Sequence, residues 1–265
     1  MTAPLENRCV LLTGAGTGVG RHFAIGLARD GARVVGLART AADLEETARL
    51  CPPGSFEAVV GDVARAEDVE AAFVRAESRF GPVDIVVNNA AVYPKLDFLS
   101  QDPDDFARTM AINVVGVART CHRALPGMLQ RGYGRVVNVG SYAFLDPIPR
   151  AAAYSASKGA VSSLTRAIAV EIDGARYPDV RVNELMPGIF RTRMTEDQGE
   201  DPSVAYAYLR PVLTIAAGGP HGEIFLKGQL QPRAIGGGGG GVRGRVKRLV
   251  NRALAKAGVG ELVKL

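Results

Sequence analysis

Cys9-Val10-Leu11-Leu12-Thr13-Gly14-Ala15-Gly16-Thr17-Gly18-Val19-Gly20 is a short apolar run that breaks into alternating glycines. Phe23, Ile25, Leu27 and Ala28 then follow a helical pattern, and Arg33-Val-Val-Gly-Leu-Ala38 is a second strand-like run. Strand, glycine turn, helix and strand in that order form the opening unit of a dinucleotide-binding fold. Glycines at the turn let the backbone approach a pyrophosphate, and the helix that follows offers free N–H groups and the positive end of its dipole. A plain tight turn between strand and helix is the competing reading.

The end of the second strand bears on the choice of nucleotide. A carboxylate there binds a ribose diol and repels a 2′-phosphate. This chain has Ala38-Arg39-Thr40 instead. Arg39 offers a planar fork of donors to a phosphate, which favours NADP(H) over NAD(H), with Thr17 and Thr40 as the next phosphate-binding candidates.

The same alternation continues along the chain. Ala42–Leu50 reads as a helix, Phe56–Val60 as a third strand ending at Gly61-Asp62-Val63, and Val69 to Phe80 as a helix. Asp62 suits either an adenine amino group or a helix cap. Val83–Val87 is a fourth strand ending in Asn88-Asn89-Ala90-Ala91, where the asparagines either bridge a cleft or form a turn. Phe106–Leu129 reads as one long helix with Asn113 inside it, an awkward place for a side chain that competes for backbone hydrogen bonds. Arg135–Gly140 is a fifth strand with Ser141 at its end, and Asp179–Leu185 a sixth, followed by Met186-Pro187-Gly188-Ile189-Phe190-Arg191-Thr192. This pattern predicts an α/β fold, a Rossmann-type doubly wound parallel sheet in a single domain. Ligands bind beyond the carboxyl ends of such strands. The glycines, Arg39, Asp62, Asn89, Ser141 and Pro187-Gly188 all fall at those ends.

Tyr154-Ser155-Ala156-Ser157-Lys158 supplies chemistry. On a helix, Tyr154 and Lys158 lie one turn apart on one face. A tyrosine hydroxyl titrates near pH 10, and a nearby ammonium stabilises the phenolate and lowers that value. The pair suits a general acid/base; as an isolated motif it equally suits the surface of a helix.

With these pieces in order, the sequence resembles the short-chain dehydrogenase/reductase family from about Leu5 to Thr192. The resemblance is carried by Thr13-Gly14-Ala-Gly-Thr17-Gly18-Val19-Gly20, Asp62-Val63, Asn88-Asn89-Ala90, Asn113, Ser141, Tyr154-x-x-x-Lys158 and Pro187-Gly188. Ala91 stands where the family often has glycine. The resemblance implies four catalytic residues. Tyr154 would exchange a proton with the substrate oxygen, and Ser141 would polarise the carbonyl. Lys158 would lower the Tyr154 pKa and hold the nicotinamide ribose, and Asn113 would hold a water behind Lys158. It further implies nucleotide contacts from the glycine loop, Asp62, Val63, Asn89, Ala90, Pro187, Gly188, Ile189 and Thr192, the last at the carboxamide. The expected activity is NADP(H)-dependent interconversion of a ketone and a secondary alcohol. An NAD(H)-dependent alcohol dehydrogenase, a non-redox enzyme on the same fold and a nucleotide-binding scaffold remain as alternatives.

Composition bounds the rest. At 265 residues and 47% hydrophobic content the chain can bury a sizeable core. It has no apolar run long enough for a transmembrane helix and no secretory-type start. Cys9, Cys51 and Cys121 show no metal-like spacing and read as thiols of a reducing compartment, so a cytoplasmic protein is expected. The net charge of +5 belongs to residues 242–265, which carry seven basic residues against Glu261. Nothing in the remainder suggests a nucleic-acid surface. The expected organisation is a catalytic domain over 1–232, a glycine-rich linker over 233–241 and a basic amphipathic helix over 242–265. Met194, Tyr206 and Tyr208 are candidates either for the pocket or for the core, and Gly222–Leu226 is expected as a last edge strand. Self-association as a homodimer or homotetramer is expected. Membrane contact by the tail is disfavoured, because its apolar face is built of Val and Ala.

Overall fold

Val10, Leu11 and Leu12 are wholly buried, because the first strand has neighbours on both edges and helices over both faces. In the computed structural model, residues 5–231 are described. The elements run β1 (Cys9–Thr13), α1 (Gly18–Arg29), β2 (Arg33–Ala38), α2 (Ala41–Leu50), β3 (Phe56–Val60), α3 (Ala66–Phe80), β4 (Ile85–Asn88), α4 (Pro103–Met110) and α5 (Gly116–Arg131). They continue as β5 (Gly134–Val139), α6 (Ala152–Glu171), β6 (Val180–Met186), α7 (Ala205–Leu213), β7 (Ile224–Leu226) and β8 (Gln229–Leu230).

Among the described residues the strands form one sheet in the order β3-β2-β1-β4-β5-β6-β7-β8. Every pairing is parallel except β7–β8. The strand order reverses between β1 and β4, and a crevice opens at such a switch point. Alternation along β1 divides the core in two. Val10 and Leu12 pack with Phe23, Leu27 and Leu209 on the face of α1 and α7. Cys9 and Leu11 pack with Phe73, Val117 and Met128 on the face of α3 and α5. The expected doubly wound sheet is therefore the one observed.

Three expectations change in detail. The helix expected over Phe106–Leu129 is helical throughout but not uniformly α: Ala111–Val115 widens into a π turn between α4 and α5. Asn113 sits within that turn, where a competing side-chain amide is accommodated. The strand expected at Gly222–Leu226 shortens to Ile224–Leu226 and is followed by β8, which turns back against it through Lys227 and Gly228, both at positive φ. Asp62 does not cap α3, whose N-cap is Arg65. The glycine linker and the basic helix expected after residue 232 lie outside the described residues.

Cys9, Cys51 and Cys121 are buried free thiols. Burial pushes Cys9 and Cys121 up to about 12 and Cys51 up to about 11, so none offers a ready thiolate. No helix among the described residues is long and apolar enough to cross a membrane.

A polar row crosses the sheet behind the carboxyl ends. Thr120 donates to Asn88 Oδ1 (2.6 Å), Asn88 Nδ2 donates to Asn138 Oδ1 (2.8 Å), and Asn138 Nδ2 donates to Thr165 Oγ1 (2.9 Å). These groups are buried, so each needs its partner. Asn138→Ala leaves the Asn88 amide only the weak acceptor Cys121 Sγ, while Thr165 keeps its bond to the Val161 carbonyl, and urea unfolding should report a loss of about 1–3 kcal/mol. An unchanged midpoint would mean that the row carries no net stability.

Candidate active site

The glycine turn forms the floor of the site. Gly14 and Gly18 take positive φ of 68° and 52°, where other residues are strained. Gly20 is required by contact: a Cβ there would stand 2.0 Å from the Gly14 carbonyl oxygen and 2.6 Å from Asn89 Nδ2. Asn89 bridges β4 to this loop. Its Nδ2 donates to the carbonyls of Thr13 and Gly14, both at 3.1 Å. Thr13 Oγ1 in turn accepts from the N–H groups of Asn89 and Ala90, both at 3.0 Å. The asparagine thus spans the switch point, and its amide is engaged within the protein.

Arg21 props the loop from below. Its guanidinium donates twice to the Gly16 carbonyl (2.7 and 3.0 Å) and reaches Thr47 Oγ1 and the Asp43 carbonyl. The sequence reading missed Arg21, which looks like any basic residue on an amphipathic helix.

Above this floor lies a cleft of about 950 Å³, lined by Gly14, Gly16 to Arg21, Arg39, Asp62, Val63, Asn89, Ala90, Ser141, Tyr154, Lys158 and Pro187 to Thr192. All the residues proposed for the nucleotide line it. Arg39 is exposed at the rim and has no hydrogen-bond or ion-pair partner among the described residues. Asp62 Oδ1 accepts from the Ala64 N–H (2.9 Å), while its own N–H donates to Asp68 (2.8 Å). Thr192 lies over Gly18, its Cγ2 3.1 Å from where a Cβ would be. Two ion pairs join opposite sides of the mouth, Arg193 to Asp43 (3.2 Å) and Lys95 to Glu196 (2.7 Å). Asp43 had gone unremarked in the sequence as one of several acids on α2. Of the three candidate pocket residues only Met194 lines the cleft. Tyr206 packs against Gly26 and donates to Asp30, and Tyr208 donates to Glu200.

Ser141, Tyr154 and Lys158 line one part of the cleft together. Ser141 caps the turn at Tyr142–Phe144, its Oγ accepting from the Ala143 N–H (3.2 Å). Tyr154 stands in the first turn of α6, with the Tyr93 ring 4.7 Å away centroid to centroid. Lys158 is 4% exposed. Its Nζ donates to the Val139 carbonyl (2.7 Å) and lies 5.6 Å from the centre of the Tyr154 ring. Burial raises the Tyr154 hydroxyl above its ordinary value, with Ser141 pulling it down and Tyr93 adding to the rise. The expected net lowering by Lys158 is therefore not what this arrangement gives. Burial brings the lysine itself down to about 8, against the raising effect of Glu184.

Asn113 is engaged within the protein. It is 1% exposed, and its side chain does not line the cleft. Its Oδ1 accepts from Val92 N–H (2.8 Å), and its Nδ2 donates to the Val92 carbonyl (3.0 Å) and to Ser157 Oγ (2.9 Å). Ser157 Oγ donates in turn to the Tyr154 carbonyl (2.7 Å). The amide thus clamps the loop after β4 to the helix that carries the tyrosine.

A glycine-floored crevice with a Ser–Tyr–Lys set at its inner end agrees with the comparisons to known proteins. The family model for short chain dehydrogenases matches residues 8–203. The chain belongs to the short-chain dehydrogenase/reductase family. It is 36% identical over 204 residues to 2-(R)-hydroxypropyl-CoM dehydrogenase of Xanthobacter autotrophicus, covering 75% of this chain and 80% of that one. It is 37% identical over 196 residues to carbonyl reductase [NADPH] 2 of Sus scrofa, covering 74% and 77%. The crystal structure of 3-ketoacyl-(acyl-carrier-protein) reductase from Brucella melitensis, complexed with NADH, superposes with a TM-score of 0.77 at 29% identity, covering 84% of this chain and 97% of that one. The short-chain dehydrogenase/reductase described here is accordingly an oxidoreductase acting on CH–OH groups or the corresponding carbonyls.

The Gly20 contact is directly testable. Gly20→Ala must displace the Gly14 carbonyl, so thermal unfolding should show a loss of about 1–3 kcal/mol and nucleotide titration at least a tenfold weaker affinity. Wild-type affinity in the variant would mean that the loop yields without cost.

Proposed function

We propose that this enzyme interconverts a ketone and a secondary alcohol with NADP(H), and that Tyr154 exchanges the proton with the substrate oxygen. The observation that carries this reading is the meeting of Ser141, Tyr154 and Lys158 at the inner end of the glycine-floored cleft. The glycine cradle, which a Cβ at Gly20 would fill, suits a pyrophosphate laid against the start of α1. The nicotinamide, when bound, supplies the hydride.

The chain's own residues do the rest. Ser141 donates a hydrogen bond to the carbonyl oxygen and fixes its position. Tyr154, kept as a phenol by burial, hands its proton to that oxygen as negative charge grows there. Lys158, anchored on the Val139 carbonyl, would donate to the ribose hydroxyls of a bound nucleotide, and it presents a positive charge to the tyrosine as the phenolate forms. Asn113 keeps the tyrosine's helix in place through Ser157. The unpartnered guanidinium of Arg39 at the end of β2 supports a 2′-phosphate, and the relative named for NADPH agrees with it. Asp43 favours NAD(H) as a second reading, since its Cβ lies 3.0 Å from where a Cβ on Gly16 would stand and it adds negative charge to the same rim. Its pairing with Arg193 offsets that charge. Ile148, Ile189 and Met194 leave apolar surface at the mouth, which suits a substrate with an apolar substituent.

Tyr154→Phe removes only the proton donor. Turnover should fall by about 10²- to 10⁴-fold, with nucleotide affinity retained by fluorescence titration; full turnover would sink the assigned role. Arg39→Asp should turn a preference for NADPH into one for NADH. An unchanged ratio of the two dissociation constants would place the phosphate elsewhere, with Thr17 and Thr40 next to be tested.

A further inference from the structure

Glu184 is an acid in a strand otherwise made for burial, Val180-Arg-Val-Asn-Glu-Leu-Met186. It is 1% exposed, and among the described residues neither of its carboxylate oxygens meets a well-aligned donor. A buried carboxylate without such donors is expensive unless a cation faces it. The register pairs Glu184 with Asn138 on β5 and with Ile224 on β7. It therefore extends the row begun by Asn88 and Asn138 one strand further, although Asn138 gives its amide to Thr165 instead.

The neighbourhood of this carboxylate is built around it. Oε1 lies 1.9 Å from where a Cβ on Gly140 would stand, so the carboxylate occupies space that only a glycine leaves. The ammonium of Lys158 bonds the carbonyl of Val139, the residue before Gly140. Carboxylate and ammonium thus approach the same Val139–Gly140 peptide from β6 and from α6. The groups facing Glu184 are the hydroxyl of Ser162, whose hydrogen bond favours the carboxylate most, and the charges of Lys158 and, two turns along α6, Arg166. Arg166 is exposed and bonds Ser162 Oγ (3.0 Å), which leaves Lys158 as the enclosed partner.

We infer that Glu184 is a positioning residue for the reaction, a buried counter-charge that keeps Lys158 in its ammonium form while the nucleotide and substrate enclose it. The inference rests on Lys158 acting beside Tyr154. Burial pulls the two groups toward each other on the pH scale, Lys158 down to about 8 and Glu184 up to about 7. As pH rises through 7 the carboxylate ionises first, and its charge then resists loss of the lysine proton. Removing that charge removes the one influence that raises Lys158, so the lysine must lose its proton at lower pH. The alkaline fall of carbonyl reduction should move in the same direction.

The test is the titration of Lys158 in [¹³C]lysine-labelled enzyme without nucleotide, followed by NMR and assigned by the resonance missing from Lys158→Met. In Glu184→Gln the midpoint should fall by about one pH unit or more, and the alkaline limb of the kcat/KM profile should fall with it. Glu184→Asp withdraws the charge by one methylene and should give a smaller fall in the same sense; it decides alone if the glutamine variant does not fold. A midpoint unmoved in the folded variants overturns the inference and makes Glu184 a structural residue. Full turnover in Tyr154→Phe would refute the proton-transfer reading separately, leaving the comparison of lysine midpoints intact.

Discussion

The Gly14 carbonyl and the Cα of Gly20 are so close that no side chain fits between them. That contact fixes how near α1 comes to the end of β1, and much of the cleft follows from it. A helix held this close directs its unpaired N–H groups at whatever lies above the loop. The Asn89 amide can then span from β4 to both Thr13 and Gly14, tying the two strands where the order reverses. Arg21 reinforces the loop from beneath through Gly16. The loop is therefore held through its carbonyls and through the Gly14 N–H, which bonds the Leu37 carbonyl, while the first N–H groups of α1 point to the cleft.

A second constraint concerns burial. Polar side chains placed in a row across β4 and β5 would be a liability in an apolar core, and here they satisfy one another from Thr120 to Thr165. Lys158 extends into the same enclosed region and rests on Val139. Low polarity around the lysine and tyrosine amplifies every charge nearby. It also explains why proximity of the two side chains does not by itself lower the tyrosine: the desolvation that strengthens their coupling acts on the phenolate as well.

The fold and the floor of the site were legible because their signals are local. A glycine at positive φ, an apolar run of strand length and a Tyr–Lys spacing of one turn are each written within a few residues. What remained hidden depends on partners far along the chain. Arg21 and Asp43 become part of the site only when α1 and α2 are set side by side, and Tyr93 only when the loop after β4 folds toward α6. Asn113 could be flagged as misplaced in a helix, yet its true partner, Val92, is set by tertiary packing and a π turn. Glu184 had a visible signal, a carboxylate inside a strand of buried-strand composition, but its meaning required knowing that Gly140 and Lys158 lie across from it.

The two ion pairs at the mouth have a kinetic consequence. Arg193–Asp43 and Lys95–Glu196 tie the segment after β6 to α2 and to the loop after β4, and most of these side chains are substantially exposed. Solvent-exposed pairs of this kind hold weakly and are screened by salt. The packed floor and the loosely fastened rim therefore differ in kind: the floor is held by buried backbone contacts, while the ion pairs of the rim can part and re-form on thermal fluctuations. Ionic strength becomes a control on traffic through the cleft, acting on entry and exit while leaving the buried Lys158 in a medium that salt does not reach.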